Sequence, residues 1–193
     1  MSFSQLLPTR HIQSAKLALA TGLLTLLLFL GLITPAWASI NDDRYDGNIF
    51  VLYAGNGSLV PAKQSLAQSL KQKRPTLLAF YLDDSSDCKQ YALVVSRFQE
   101  YYGRAANILP VNVDGIPEKT SYTPEEPGYY YDGLLPQVVV IDQEGEVAFK
   151  GTGQVPFEEV DDTLREVFDL LPRTESVALK RRSFNEYNSE LTQ

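Results

Sequence analysis

The sequence predicts an α/β domain with a central mixed β-sheet and helices on both faces. Three observations lead there. Segments of strand character alternate with segments of helical periodicity between residues 48 and 172. The run from Thr76 to Leu82 is continuously apolar, as expected of a central strand covered on both sides. Two short apolar segments flank Gln143-Glu144-Gly145, which is a hairpin signal and adds an antiparallel edge. Alternation upstream of that hairpin implies parallel strands joined by right-handed crossovers.

Taken in order, residues 1–38 read as a signal peptide or an N-terminal membrane anchor. Arg10, His11 and Lys16 precede an apolar run from Leu17 to Ile33, and Pro35-Ala36-Trp37-Ala38 supplies an Ala-x-Ala cleavage site. The run is longer than the usual ~7–15 residues of a signal h-region and shorter than the ~20 of a membrane span. In either case the basic residues hold the N-terminus in the cytoplasm and send the remainder across the membrane. Residues 39–172 form the domain proper. Its first nine residues, 39–47, are polar and read as a leader. Asn48 to Ala54 reads as a short strand closed by the turn Gly55-Asn56-Gly57-Ser58. From Val60 to Lys73, Ala62, Leu66, Ala67 and Leu70 recur at helical spacing, with Pro61 in the first turn.

After the Thr76–Leu82 strand comes a helix over about Ser86 to Tyr102. There Cys88, Tyr91, Val95, Phe98 and Tyr102 make one buried stripe, and Gly103 ends it. Asn107 to Val113 is the third strand. Residues 114–135 are irregular, carrying Pro117, Pro124, Pro127 and the run Tyr129-Tyr130-Tyr131. Gln137–Asp142 and Glu146–Lys150 are the hairpin strands. Val160, Leu164, Val167, Phe168 and Leu171 mark a last helix stopped by Pro172, and residues 173–193 read as a polar tail.

Composition narrows the chemistry. The single His, Trp and Met all lie within residues 1–38, leaving a domain without histidine. Such a domain cannot run a Ser-His-Asp or Cys-His relay. One Cys allows no internal disulfide and none of the usual zinc sites, so no metal and no cofactor are implied. Of the 17 basic residues only Arg10 and Lys16 precede residue 39, as do none of the 24 acidic ones, so residues 39–193 carry 15 against 24, a formal −9. That balance argues against nucleic acid as a partner.

The residues themselves carry a resemblance. Thr76-Leu-Leu-Ala-Phe-Tyr-Leu-Asp-Asp-Ser-Ser-Asp-Cys88-Lys89-Gln-Tyr-Ala92 resembles the strand, active-site turn and helix start of the thioredoxin-like superfamily. Leu134-Leu135-Pro136-Gln137 resembles the segment with the family's cis-proline, followed by its next strand, and Gln143–Val147 resembles its hairpin turn. The resemblance covers about residues 48–172 and implies a thioredoxin-like fold, with Pro136 cis beside the face where extended peptides dock. Two departures matter. The first Cys of the family's Cys-x-x-Cys is Ser85, so the turn reads Ser85-Ser86-Asp87-Cys88, and the family's buried acid is Ala79.

Thiol–disulfide exchange needs an attacking thiolate and a thiol that resolves. Ser85 sits where a helix N-terminus would lower a thiol pKa, yet without a base its hydroxyl stays protonated. Ser85 and Asp87 otherwise read as cap and dipole partner of the helix. Cys88 lies on the apolar stripe near Asp83, Asp84 and Asp87, and both burial and like charge disfavour its thiolate. Ser85 and Cys88 thus form a degenerate redox site, and no catalytic residue is assigned. The expectation is a non-catalytic module that binds protein partners through Leu135, Pro136, Tyr129, Tyr130 and Tyr131. The alternative is an extracytoplasmic monothiol thiol-disulfide oxidoreductase.

Taken whole, including the N-terminal segment and the ending Ser183–Leu191, the chain resembles the cyanobacterial thylakoid membrane photosystem I accumulation factor family. That resemblance implies a thylakoid membrane or lumen location and partners among photosystem I subunits or assembly factors, with membrane attachment through the N-terminal segment if it is uncleaved.

Overall fold

The structure is a computed structural model and describes residues 9–31 and 38–176. The chain divides after Ala38 into two compact units. In the first, helix α1 spans Thr9–Gly31. Among the described residues no helix is long and apolar enough to cross a membrane. Of the expected cleavage motif, Pro35, Ala36 and Trp37 lie outside the described residues, as does the tail from 177 onward.

The second unit holds helices α2 (Ile49–Leu52) and α3 (Leu66–Lys71), strand β1 (Thr76–Tyr81) and helix α4 (Ser86–Tyr102). Strands β2 (Asn107–Asn112), β3 (Gln137–Ile141) and β4 (Val147–Thr152) and helix α5 (Phe157–Val167) follow. Among the described residues the sheet runs β2-β1-β3-β4. β1 pairs with β2 in parallel, Thr76 opposite Asn107, and with β3 antiparallel, Thr76 opposite Ile141. β3 and β4 form the antiparallel hairpin.

Period-two alternation along β1 and β3 divides the core. Leu77, Ala79, Tyr81, Val138 and Val140 face α2, α4 and α5. Leu78, Phe80, Val139 and Ile141 face Leu66 of α3 and Tyr130 of the long loop. Every residue of β1 and β3 is buried, which is why both read as apolar runs after the polar Thr76 and Gln137 at their starts. Helices lie on both faces, although a loop shares the second face with the single short helix α3.

Three expected elements differ. The segment read as a strand from Asn48 to Ala54 is the one-turn helix α2. Asn48 caps it by accepting from the Phe50 amide, and Asp83 accepts from the Ile49 amide. Ile49 and Phe50 are consecutive and both buried, which alternation would not permit. The helix expected over residues 60–73 shrinks to Leu66–Lys71. It starts where Ser65 and Gln68 form a capping box, which leaves Pro61 four residues before the cap and outside the helix. The last helix ends at Val167, before Leu171, because Asp169 turns left-handed at φ 52°.

Candidate functional site

The site grows from the junction of β1 and α4. Ser85 is the N-cap of α4, and its hydroxyl accepts from the Cys88 amide at 3.3 Å. The hydroxyl in the place of a family nucleophile is thus engaged in holding the helix start. Cys88 is buried beneath it on the α4 stripe. Burial pushes its thiol pKa up, with Asp87 and Asp84 adding to the rise, against hydrogen bonds from Ser85 and the Leu82 backbone. Ala79, at the place of the family's proton acceptor, packs in the same apolar cluster.

Residues that the sequence reading left as a polar leader complete the site. Asp43 Oδ1 accepts from the Ser86 amide at 2.8 Å, so a carboxylate already occupies the positive end of α4. That hydrogen bond is the main reason the Asp43 carboxyl sits below its ordinary pKa. Lys89, the residue after Cys88, is 0 % exposed. Its Nζ donates to the carbonyls of Ser39 (3.0 Å), Asp42 (2.9 Å) and Arg44 (2.7 Å), and pairs with Asp42 Oδ1 (3.2 Å) and Asp46 Oδ2 (3.0 Å). The Tyr53 ring lies 5.3 Å from the same ammonium. Burial alone would lower the Lys89 pKa, but the Asp46 and Asp42 hydrogen bonds outweigh it and hold the pKa above its usual value. Asp46 in turn is lowered to about 2, first by the Tyr53 hydroxyl and then by Lys89. Little in the sequence signals this lock: the leader is acid-rich, but Arg44 within it pairs with Asp42 and Asp46 and answers part of that charge.

Asp83 is committed as well. Its Oδ1 accepts from the Ile49 amide at 2.9 Å and its Oδ2 from Asn112 Nδ2 at 3.0 Å. Burial raises its pKa, against those two hydrogen bonds. The acids near the turn therefore cap helices and tie loops.

Across from the thiol, the Leu135–Pro136 bond is cis. Leu135 packs against both apolar clusters, and the Pro136 carbonyl accepts from the Gly153 amide at 2.7 Å. The three tyrosines grouped as binding residues separate into different roles. Tyr129 is 55 % exposed and meets Tyr130 edge-on, with ring centres 5.0 Å apart. Tyr130 is 4 % exposed, and its hydroxyl donates to the Pro124 carbonyl. Tyr131 stacks on Phe80 with ring centres 5.4 Å apart. Its hydroxyl pKa is raised by burial and then by Cys88, which makes thiol and loop electrostatic neighbours. Buried Gln137, missed by the sequence reading, clamps the loop: its Nε2 donates to the Tyr130 carbonyl (2.7 Å) and its Oε1 accepts from the Asp132 amide (2.9 Å). Tyr130 is core, so the binding surface proposed for this loop loses one of its three aromatic anchors. Ser85, Cys88, Tyr131 and the cis Leu135–Pro136 segment remain gathered at one end of the sheet.

The thioredoxin-like domain family matches residues 62–168. A Synechocystis protein named "Thylakoid membrane protein slr1796" is 58% identical over 156 residues, covering 81% of this chain and 78% of that one. A second Synechocystis protein, named "Thiol:disulfide interchange protein TxlA homolog", is 29% identical over 99 residues, covering 51% of this chain and 52% of that one. Among solved structures, an Asn-to-Gln mutant of thioredoxin from Halobacterium salinarum aligns at 20% identity and a TM-score of 0.43, covering 55% of this chain and 86% of that one. By its fold, its cis-proline and the family match over residues 62–168, the chain belongs to the thioredoxin-like domain family.

Proposed function

We propose that this chain is a non-catalytic thioredoxin-like protein of the thylakoid membrane or lumen, supporting photosystem I accumulation or assembly by binding protein partners. One observation carries the first half. The position of the attacking thiol is a helix-capping serine, the position of the base is Ala79, and the remaining thiol is buried with its pKa raised. Exchange chemistry lacks its attacking thiol and its proton acceptor, and the single thiol left has no second thiol to pair with. The cis Leu135–Pro136 segment beside Tyr131 and exposed Tyr129 retains the face on which the family docks extended peptides. The 58% identical relative named as a thylakoid membrane protein supports the location, and the whole-chain resemblance supports the photosystem I role.

The test is complementation. A cyanobacterium lacking this chain should lose photooxidisable photosystem I reaction-centre signal, and chain carrying Cys88→Ser should restore it. A strain with normal levels of the Cys88→Ser protein and no photosystem I recovery would overturn the non-catalytic reading. It would favour the monothiol oxidoreductase instead, the reading supported by the relative named as a thiol:disulfide interchange protein.

A further inference from the structure

Ser39 opens the domain, and each of its polar groups has a partner. Its amide donates to Asp46 Oδ2 at 3.4 Å, its carbonyl accepts from Lys89 Nζ at 3.0 Å, and its hydroxyl accepts from the Asn41 amide at 3.3 Å. Asp46 is held in place independently. The same Oδ2 accepts from the Tyr53 hydroxyl at 2.6 Å and from Lys89 Nζ at 3.0 Å, and the side chain is 12% exposed. A 3.4 Å contact is long for an amide on a carboxylate, whereas a bond between an ammonium and a carboxylate runs shorter and stronger.

The charges facing this spot are also unequal. Asp42, Asp43 and Asp46 stand against Arg44 and Lys89, with Tyr53 neutral, which leaves one negative charge over. One more cation at the Ser39 nitrogen would balance the cluster. The bond just before that nitrogen follows Ala36-Trp37-Ala38, whose small residues at the first and third positions suit a signal-type endopeptidase.

We propose that the Ala38–Ser39 bond is a processing site and that Asp46, seated between Tyr53 and Lys89, receives the α-ammonium which processing creates at Ser39. The step is a hydrolysis by a signal-type endopeptidase. One water adds across the amide, Ala38 departs as a carboxylate, and the Ser39 nitrogen keeps its electron pair and takes up the proton. Maturation then does more than shed residues 1–38: it converts a long amide–carboxylate hydrogen bond into an ion pair and completes the lock on Lys89. The inference is independent of the partner-binding reading, and its tests do not measure partner capture.

The full chain, expressed with its own N-terminus in a cyanobacterium, should be recovered with an intact mass and an N-terminal sequence beginning at Ser39. Retention of residues 1–38, or a start elsewhere, overturns the processing site. On the mature chain the α-amine, followed by NMR after reductive ¹³C-methylation, should titrate above the ordinary ~7.7–8.0 and fall back in Asp46→Asn. A midpoint in the wild type at or below the ordinary range overturns the capture by Asp46. If Asp46→Asn does not fold, Nα-acetylation of the wild-type mature chain is the second measurement. It should lower Tm by a few degrees, and an unchanged Tm overturns the ion pair.

Discussion

Lys89 illustrates how one buried charge organises its surroundings. Its ammonium holds three backbone carbonyls and two carboxylates of residues 39–46, so removing it takes the cation from all five, although Asp46 keeps Tyr53 and Asp42 keeps Arg44. Lys89→Met should therefore destabilise the domain by about 3 kcal/mol, the lower end for breaking a buried pair, because Asp42 keeps partial access to water. Urea unfolding would measure the loss, and limited proteolysis should cut first within residues 39–46. At Ser85 the outcome depends on competing effects. Ser85→Cys rebuilds a Cys-x-x-Cys, and the helix N-terminus favours a thiolate there. Asp43 already satisfies the Ser86 amide, while Ala79 cannot accept a proton. The variant should form its disulfide yet reduce insulin only weakly, and turnover near that of an ordinary thioredoxin would show that the carboxylate and the missing base count for little.

At the scale of elements, the 114–135 segment stands where a helix would otherwise cover the second face of the sheet. It is built from two short 3₁₀ turns, Val113–Gly115 and Pro127–Tyr129, and from contacts that leave little freedom. Gly128 lies under the Tyr122 ring, where an added Cβ would sit 2.5 Å from Tyr122 Cε1. Gly128→Ala should cost roughly 1–3 kcal/mol as overpacking, read as a fall in Tm. The tyrosines give a sharper separation. Tyr130→Ser removes a buried ring and should cost about 3 kcal/mol or more. Tyr129→Ser should leave Tm within about a degree while weakening partner capture, since surface substitutions of this kind rarely move stability. Capture undiminished by Tyr129→Ser would place the partner surface elsewhere.

Across the whole molecule the acids set the response to pH. Asp46, Asp43 and Glu126 all have folded pKa values below their ordinary ones. A depressed carboxylate adds stability above its unfolded pKa and loses it as pH falls through the folded value. For Asp46 that window runs from about 4 down to about 2. Asp83, raised by burial, has the opposite sign and offsets part of the loss. Tm should therefore fall steadily from pH 5 to pH 2.5, and more gently in Asp46→Asn, whose wild-type difference narrows as acid removes the same charge. A Tm independent of pH in that range would contradict the arrangement.

The sequence by itself determined the elements whose evidence is local or periodic. β1, β3 and α4 were legible because a strand buried on both faces must be continuously apolar and a helix against a sheet must show one stripe. The cis Leu135–Pro136 bond and the degenerate Ser85–Cys88 turn were legible through the motif resemblance. Only the tertiary structure decided the rest. Ile49–Leu52 became a helix because Asp83, far along the chain, takes the Ile49 amide beside the local Asn48 cap. Tyr130 became core while Tyr129 stayed at the surface because buried Gln137 holds the Tyr130 backbone against the sheet. The leader became the lid of the site because Lys89, buried on α4, needs carboxylates and carbonyls around it. Hydrogen bonds between residues some 40 positions apart leave no periodicity in a sequence, so the lock that defines this site became visible only when the chain was folded.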